Sequence, residues 1–303
     1  MATICRYLLE FYEDVVNKKA DPRVENLPLM SSPLPILGIL LIYNYFVNKW
    51  GPQLMKSREP YDLKNVMILY DILQIIVNSY LFFICLKVPY IQLRYSLICQ
   101  EVDYSDDPIN RFIAQNVWVY FMVKVLDLLD TVFMVLRKKE RQISFLHVYH
   151  HTGMVLACWV ATKFIAGGHV IFIGMINAFV HTVMYFYYLL TAINPEYKKS
   201  IWWKKHLTEL QMVQFVILAW HSAIVVLNPS CKFPKILMGI FFPQNFFMLT
   251  MFWDFYRKNY LSKKITQSEQ VPDNKVEVNN NMEKIKDNLK STQETCLMKE
   301  KNI

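Results

Sequence analysis

The chain has 303 residues, of which 54% are hydrophobic and only 19% are charged, and its net charge is +8. Charged residues make up about 25% of a typical soluble domain, so this composition disfavours a soluble enzyme and a disordered protein. The seven glycines are too few for collagen or glycine-loop nucleotide folds. An all-α membrane protein with several transmembrane helices remains. Its basic residues lie in short segments between apolar runs, which indicates a lipid bilayer rather than nucleic acid as partner.

The polarity pattern divides the chain into three regions. Residues 1–32 mix polar and apolar residues, which predicts a luminal or interfacial segment whose short helix is broken at Asp21-Pro22. Seven apolar stretches follow, each of about 17–25 residues and long enough to cross ~30 Å of hydrocarbon. They lie near residues 33–48, 66–86, 112–136, 144–165, 170–193, 207–227 and 236–256. We therefore predict a seven-helix transmembrane domain over residues 33–257 and a disordered cytosolic tail over residues 258–303.

Lysine and arginine residues in the connections predict the orientation in the membrane. Sixteen of them lie on the side of the C-terminus and ten on the side of the N-terminus. By the positive-inside rule, the C-terminus is cytosolic and the N-terminus luminal. The chain ends with Lys299 and Lys301 in a pattern that resembles the dilysine retrieval signal of endoplasmic-reticulum membrane proteins, although a lysine-rich tail could end this way by chance. We expect a multi-pass protein of the endoplasmic-reticulum membrane.

Two of the six cysteines predict a disulfide bond. Cys99 and Cys231 lie in the two longest connections on the predicted luminal side, where the compartment is oxidising. A bond between them would tie the second and third spans to the sixth and seventh. Cys5 is a rival partner, and two free thiols are the alternative. Cys85 and Cys158 lie in apolar runs and are predicted to be packing residues.

Ionisable side chains within a membrane helix are costly, so those of the third span are candidates for function. Lys124, Asp127 and Thr131 share one helical face, and Asp130 lies beside them. An internal ion pair that only neutralises Lys124 is the simpler interpretation. The other is that this pair also orients catalytic groups.

Three histidines lie on one face of the fourth span. His147, His150 and His151 occupy positions i, i+3 and i+4 of the predicted helix. A single buried histidine is usually a packing residue, but three at this spacing near the cytosolic end of a span indicate a site.

The fifth and sixth spans add polar residues at helical spacing. The candidates are Asn177, His181, Tyr185, Tyr187 and Tyr188 in the fifth span and Thr208, Gln211 and Gln214 in the sixth. The alternatives are an aromatic belt at the membrane interface and hydrogen bonds that only join helices. We interpret His169, His206 and His221 as structural residues.

Histidine clusters in membranes suit two kinds of enzyme. A non-haem di-iron lipid oxidase would need about eight histidines from several motifs, whereas an acyltransferase could use a neutral imidazole as nucleophile or base. In the second case a coenzyme would remain at the cytosolic rim, where basic residues could bind its phosphates. These residues are Arg137, Lys138, Lys139, Lys204 and Lys205. A seven-helix receptor or transporter is a third reading, which the topology alone permits.

Four motifs in order and at matching spacing make the chain resemble the very-long-chain fatty-acid elongases, the membrane 3-ketoacyl-CoA synthases. The motifs are Lys124-Val-Leu-Asp127-Leu-Leu-Asp130-Thr131, His147-Val-Tyr-His150-His151, His181-Thr-Val-Met184-Tyr185-Phe-Tyr187-Tyr188 and Thr208-Glu-Leu-Gln211-Met-Val-Gln214. The resemblance covers about residues 20–260. One departure is Asp127, where the family usually has Glu.

The resemblance implies the condensing step of elongation, in which acyl-CoA and malonyl-CoA give 3-ketoacyl-CoA, CO2 and CoA, with no metal or redox cofactor. It implies seven helices, six of which enclose a narrow acyl tunnel, and partners among the other elongation enzymes or a second copy of the chain. It points to His150 as the acyl-accepting nucleophile and to His147, His151 and His181 as bases or orienting groups. Candidates for polarising carbonyl groups are Asn177, Tyr187, Gln211 and Gln214.

Overall fold

The computed structural model describes residues 19–93 and 95–261, and within these residues the chain forms helices and no strand. The α-helices are α1 (Leu34–Tyr45), α2 (Gly51–Met55), α3 (Lys64–Cys85), α4 (Pro108–Leu126), α5 (Leu128–Leu136), α6 (Phe145–Phe164), α7 (Val170–Ile193), α8 (Ile201–Leu227) and α9 (Lys235–Tyr256). π-Helical turns extend several of them, as at Phe46–Trp50 between α1 and α2. The helix predicted before Asp21 and the tail beyond residue 261 lie outside the described residues.

Four helical stretches of the described chain are long and apolar enough to cross a membrane. They are Lys64–Gln92, Val170–Ile193, Ile201–Leu227 and Lys235–Leu261. The other three predicted spans are helical too, although they do not meet that standard of length and hydropathy. The all-helical membrane class is thus supported, whereas the count of seven spans stays a prediction. Exposed large side chains such as Leu69, Trp220 and Leu227 suit these helices to a hydrocarbon environment.

The third predicted span is not one helix, because the chain turns at Asp127 between α4 and α5. The backbone N–H of Asp127 still bonds to Val123, but that of Asp130 bonds to the Asp127 carbonyl at 3.3 Å, as in a tighter turn. The Asp127 carboxylate is buried and held by side chains of α3, α4 and α7. The break therefore coincides with the residue that carries the most hydrogen bonds in this region.

Polar caps fix where the helices begin. Asp107 caps α4 by accepting hydrogen bonds from the N–H groups of Ile109 and Asn110, at 2.9 and 3.1 Å. Hydrogen bonds from the Ser105 hydroxyl and from Asn110 hold the pKa of Asp107 below its usual value. The ionised cap therefore contributes its full stabilisation above the usual pKa of an aspartate, and this stabilisation is lost as the pH falls through the lowered pKa. Ser144 caps α6 through the N–H of His147, which sets the register of the histidine motif.

The helices pack in antiparallel pairs. The most extensive contact joins α3 to α7, and the next joins α4 to α6, with α8 against α7. A first apolar core combines Phe121 of α4 with Val155 and Trp159 of α6 and with Ile36 of α1. A second core, at the other end of the molecule from the histidine motif, joins α7, α8 and the start of α9 around Phe233.

The predicted disulfide between Cys99 and Cys231 is present, with Cα atoms 5.7 Å apart. It joins the segment between α3 and α4 to the segment between α8 and α9. Gly168, at φ +63°, lies against the backbone of this first segment, where a Cβ would approach Gln100 to 2.9 Å. Cys85 and Cys158 form no disulfide, as predicted, while Cys5 lies outside the described residues.

Residues 19–32 pass over the same end of the bundle. The indole N–H groups of Trp118 and Trp159 donate to the carbonyls of Pro28 and Leu29 at 3.0 and 2.8 Å, and the Lys163 ammonium donates to Met30. Hydrogen bonds thus connect this segment to both α4 and α6.

Candidate active site

A small polar cavity of about 230 Å³ lies where α4, α6 and α7 meet. Its wall is formed by Lys124, Asp127, His150, His151, Met154, Asn177 and His181. Six of these seven residues are candidates from the sequence, drawn from three separate predicted spans. Packing of three helices therefore brings most of the predicted chemistry together.

A buried ion pair organises this cavity. The Lys124 ammonium lies 3.0 Å from one Asp127 oxygen, and each side chain is only 3% exposed. The other Asp127 oxygen accepts a hydrogen bond from Gln74 at 2.8 Å, and the Tyr185 hydroxyl lies 3.2 Å from it. The charge of Lys124 is thereby balanced, and polar groups surround the carboxylate, which is what a buried ion pair requires.

His181 joins this pair from α7. Its Nδ1 lies 3.4 Å from the Lys124 Nζ and 3.6 Å from an Asp127 oxygen. An ammonium group can only donate, so Nδ1 accepts and the proton of the neutral ring lies on Nε2. The ion pair thus selects one tautomer of His181.

His150 and His151 face the cavity from α6. Among the described residues, none forms a hydrogen bond with the His150 ring, so its lone pair remains available to a ligand. The His151 ring lies 5.8 Å from the His150 ring and 4.3 Å from that of His147, between centroids. These contacts hold His151 between its two neighbours in the motif.

His147 does not line the cavity. Its Nε2 lies 2.9 Å from the Thr131 hydroxyl, which in turn lies 2.8 Å from the hydroxyl of Tyr43. Thr131 is on α5, beyond the turn at Asp127. The structure thus gives His147 a place in a hydrogen-bond chain that links α1, α5 and α6.

The remaining polar candidates of the fifth and sixth spans divide into two groups. Asn177 lines the cavity, whereas Tyr187 stacks near Trp203 with ring centroids 6.2 Å apart. The Gln211 amide contacts the sulfur of Met184, and Gln214 is 5% exposed without reaching the cavity. Only Asn177 of these four can contact a group bound there.

Asp130 also lies away from the cavity wall. Its carboxylate accepts a hydrogen bond of 2.7 Å from the hydroxyl of Tyr185, the same hydroxyl that approaches Asp127. Tyr70 of α3 packs edge-on against Tyr185, with ring centroids 5.8 Å apart. Asp130 therefore supports the residues that hold Asp127.

Tyr120 is a site residue that the sequence interpretation missed. Its hydroxyl donates to the Asn177 Oδ1 at 2.8 Å, and its ring lies 4.9 Å from the Lys124 ammonium. The bond fixes the Asn177 amide so that its Nδ2 is the atom left to donate. The available signal was spacing, because Tyr120 lies four residues before Lys124 and hence on the same helical face.

The predicted basic residues lie in the connections after α5 and around the start of α8. Arg137 contacts the sulfur of Met67 at 2.9 Å, and Lys205 lies 3.6 Å from Glu209. Lys139 and Lys204 are exposed, and Lys138 is partly exposed. Burial lowers the pKa of Lys198, and repulsion by Arg137 and Lys139 lowers it further, so the two connections lie close together.

A second cavity, of about 610 Å³, lies next to the polar one, toward the end of the bundle that carries the disulfide. It is lined by Leu81, Cys85, Asn116, Val117, Tyr120, Met154, Ala157, Cys158, Ala161, Thr162, Val170, Ile171, Ile173, Gly174 and Phe241. Met154 belongs to the walls of both cavities. The second wall is almost wholly apolar, so the pair of cavities suits a ligand with one polar and one apolar end.

In the described part of the chain, no group of three or more histidine, cysteine, aspartate or glutamate side chains is placed to hold a metal ion. The cavity histidines instead face a lysine, an asparagine and a methionine.

Comparison with known proteins relates this arrangement to one family. The chain matches the profile of the GNS1/SUR4 family over residues 28–268. It is 40% identical over 264 residues to a very long chain fatty acid elongase of Aedes aegypti, covering 87% of this chain and 73% of that protein. It is 40% identical to very long chain fatty acid elongase 7 of Rattus norvegicus, with coverage of 87% and 92%. Against very long chain fatty acid elongase 4 of Homo sapiens the identity is 41%, with coverage of 86% and 82%.

Proposed function

The chain belongs to the GNS1/SUR4 family, and on that basis we propose that it is a 3-oxoacyl-CoA synthase for the condensing step of fatty-acid elongation. An acyl group passes from its CoA thioester to the second carbon of malonyl-CoA. The malonyl carboxylate leaves as CO2, and the products are 3-ketoacyl-CoA and free CoA.

The observation that carries this proposal is that Met154 belongs to the walls of both cavities, so that the polar and the apolar cavity are neighbours. In this proposal the apolar cavity receives the acyl chain, and the thioester lies in the polar cavity beside His150. A neutral imidazole with no hydrogen-bond partner among the described residues can act as a nucleophile.

In the first half of the reaction, His150 attacks the thioester carbonyl. The negative charge that develops on the carbonyl oxygen is stabilised by Lys124 and by the Asn177 amide, which the structure aims into the cavity. When the carbon–sulfur bond breaks, the electron pair leaves with sulfur. The proton lost by the attacking imidazole goes to that sulfur, with His151, whose ring lies 5.8 Å from that of His150, as the base in this proposal.

In the second half, malonyl-CoA loses CO2 and its second carbon becomes an enolate nucleophile. This carbon attacks the acyl group on His150, the carbon–nitrogen bond breaks, and the departing imidazole takes up one proton from solvent. His181, held by Lys124 and Asp127, is placed to stabilise the enolate with its Nε2–H. Neither half needs a metal or a redox cofactor.

The cytosolic side of the protein binds the two coenzymes in this proposal. The connection that contains Arg137, Lys138 and Lys139 lies near Lys198, and Lys204 and Lys205 begin α8, so several ammonium groups face the same region. Phosphate groups of CoA would bind there by charge-assisted hydrogen bonds.

We further propose seven transmembrane spans in the endoplasmic-reticulum membrane, six of them around an acyl tunnel formed by the two cavities. The disulfide supports a luminal position for the segments that contain Cys99 and Cys231, because such bonds persist in oxidising compartments. The N-terminus is then luminal and the C-terminus cytosolic.

The direct test is condensation by purified protein with radiolabelled malonyl-CoA and a long-chain acyl-CoA. Wild-type protein should form 3-ketoacyl-CoA, and His150→Ala should lose about a thousandfold or more of kcat, as expected when a nucleophile is removed. His206→Ala is the matched control, since His206 pairs with Glu209 near the surface. Normal activity of His150→Ala would remove the nucleophile from the proposal, and lack of product from wild-type protein would contradict the reaction itself.

A further inference from the structure

The apolar cavity contains two polar side chains far from the histidines. Asn116 of α4 is 7% exposed, and Thr162 of α6 is fully buried. Thr162 follows His150 by twelve residues, about 18 Å along a helix, and Asn116 precedes Lys124 by eight residues, about 12 Å. Both side chains therefore lie where the distal part of a bound acyl chain would lie.

Asn116 contributes a hydrogen-bond acceptor that nothing in the described chain satisfies. Its Nδ2 donates to the carbonyl of Phe112 at 2.9 Å, whereas its Oδ1 is buried without a partner. Rotating the amide by half a turn would place Oδ1 against that carbonyl, acceptor against acceptor, so the observed orientation is the favourable one. Buried acceptors in proteins normally have a hydrogen-bond donor, so a bound ligand that supplies one would satisfy Asn116 Oδ1.

Thr162 contributes a second acceptor. Its hydroxyl donates to the Cys158 carbonyl at 2.8 Å, so its only hydrogen is used and the lone pairs of its oxygen remain. The one phenol in the cavity wall cannot serve it, since the Tyr120 hydroxyl already donates to Asn177. The distal cavity is thus apolar in surface, and its two polar side chains keep acceptor capacity beside one remaining N–H of the Asn116 amide and weakly donating thiols.

We propose, resting on the proposed function, that this cavity binds long acyl chains that carry a hydroxyl group in their distal half. Such a hydroxyl would donate to Asn116 Oδ1 or Thr162 Oγ1. An extended chain advances roughly 1.25 Å per carbon, and the two side chains lie about 12–18 Å from the histidine level. The hydroxyl should therefore lie roughly ten to fourteen carbons from the thioester.

The test compares three acyl-CoAs of eighteen carbons with the full-length protein: one unsubstituted, one with a hydroxyl near the twelfth carbon, and one with a hydroxyl near the sixth. The ratio of kcat/KM for the distal hydroxyl to kcat/KM for the unsubstituted chain is the readout. In wild-type protein the distal hydroxyl should be used at least as well as the unsubstituted chain and better than the proximal hydroxyl, which reaches neither Asn116 nor Thr162.

Substitution of Asn116 or Thr162 should reduce the use of the acyl-CoA that carries the distal hydroxyl. Asn116→Leu and Thr162→Val keep the approximate shape of each side chain, and each should lower the ratio about fivefold to tenfold. Thermal unfolding in detergent reports whether each variant is correctly folded. Asn245→Leu is the control, because Asn245 is 6% exposed, donates to the Phe241 carbonyl at 2.8 Å in the same way, and lines neither cavity.

An unchanged ratio in both variants would overturn the inference and assign a buried water to Asn116. Equal rejection of both hydroxylated chains by wild-type protein would overturn it as well. A corresponding ratio of dissociation constants is measured by competition of each acyl-CoA against radiolabelled unsubstituted acyl-CoA. Wild-type protein that elongates no chain would contradict the proposed function, while the binding ratio would still decide this inference.

Discussion

Asp127 is the residue on which the polar cavity depends most. It accepts hydrogen bonds from Lys124 on α4 and Gln74 on α3, and the Tyr185 hydroxyl of α7 lies 3.2 Å away, so one carboxylate contacts three helices. The very-long-chain fatty-acid elongases that the sequence resembles usually have Glu at this position. Both oxygens of the shorter Asp127 side chain have hydrogen-bond partners. Asp127 lies at the turn between α4 and α5, which brings its backbone close to these partners.

The first prediction concerns this carboxylate. Asp127→Asn leaves Lys124 as an unpaired buried charge, so the free energy of unfolding should fall by about 3–5 kcal/mol. Thermal unfolding of the protein in detergent measures the effect, and condensation activity should be lost with it.

Asp106→Asn provides the comparison for that change. Asp106 also forms an ion pair, with Arg111, but both side chains are more than half exposed. Exposed pairs contribute little, so the melting temperature should hardly change. Equal losses of melting temperature in Asp127→Asn and Asp106→Asn would contradict the claim that burial makes the Lys124–Asp127 pair important for stability.

The second prediction concerns Tyr120. Tyr120→Phe keeps the ring beside Lys124 and the wall of the apolar cavity, but it removes the hydrogen bond to Asn177. Loss of one buried bond of about 1–3 kcal/mol should lower kcat roughly tenfold or more, while KM for acyl-CoA stays near its wild-type value. Steady-state kinetics distinguishes the two parameters.

Tyr80→Phe is the matched control, because Tyr80 is 45% exposed on α3 and lines neither cavity. It should leave both parameters unchanged. A Tyr120→Phe variant with normal kcat would show that Asn177 needs no anchor, and one with a raised KM alone would assign Tyr120 to chain binding.

At the scale of helices, the spacing of the histidine motif predicts a shared face but not the neighbours of each ring. His150 and His151 reach the polar cavity, whereas His147 lies a turn earlier and meets Thr131 instead. That difference depends on where the adjacent helix turns, at Asp127. A periodic pattern gives the angle of a side chain around its own axis, and only tertiary packing gives its partner.

The third prediction belongs to the segments joined by the disulfide. The bond closes a loop with a sequence separation of 132 residues. Cys231→Ser should lower the free energy of unfolding by about 2–5 kcal/mol, measured by thermal unfolding under oxidising conditions. Cys99→Ser and the double variant should give the same loss, since either change breaks the same bond. Additive losses would indicate that each cysteine acts by packing alone.

At the scale of the whole molecule, composition and charge predict a membrane protein of helices, and the described chain agrees. The bounds of α7 equal those expected from hydropathy, because an apolar run with polar ends marks a helix clearly. The two cavities could not be predicted in this way. Their walls combine residues as distant as Leu81 and Phe241, which apolar packing brings together without any local signal.

The fourth prediction concerns orientation in the membrane. Lys138→Cys and Ser105→Cys, each introduced separately into a chain in which Cys5 and Cys296 are replaced by serine, place a thiol in connections at opposite ends of the bundle. In sealed microsomes an impermeant maleimide should label the first directly and the second only after permeabilisation. The reverse pattern would contradict the proposed topology and the site assigned to the coenzymes.

The central claim is that His150 carries the acyl group between the two substrates, and one measurement tests it directly. Purified protein is incubated with a long-chain acyl-CoA alone, digested, and analysed by mass spectrometry for acylated peptides. The account predicts an acyl group on His150 that disappears when malonyl-CoA is added and that is absent from His150→Ala. An acyl group on another residue, or active protein that is never acylated, would contradict it.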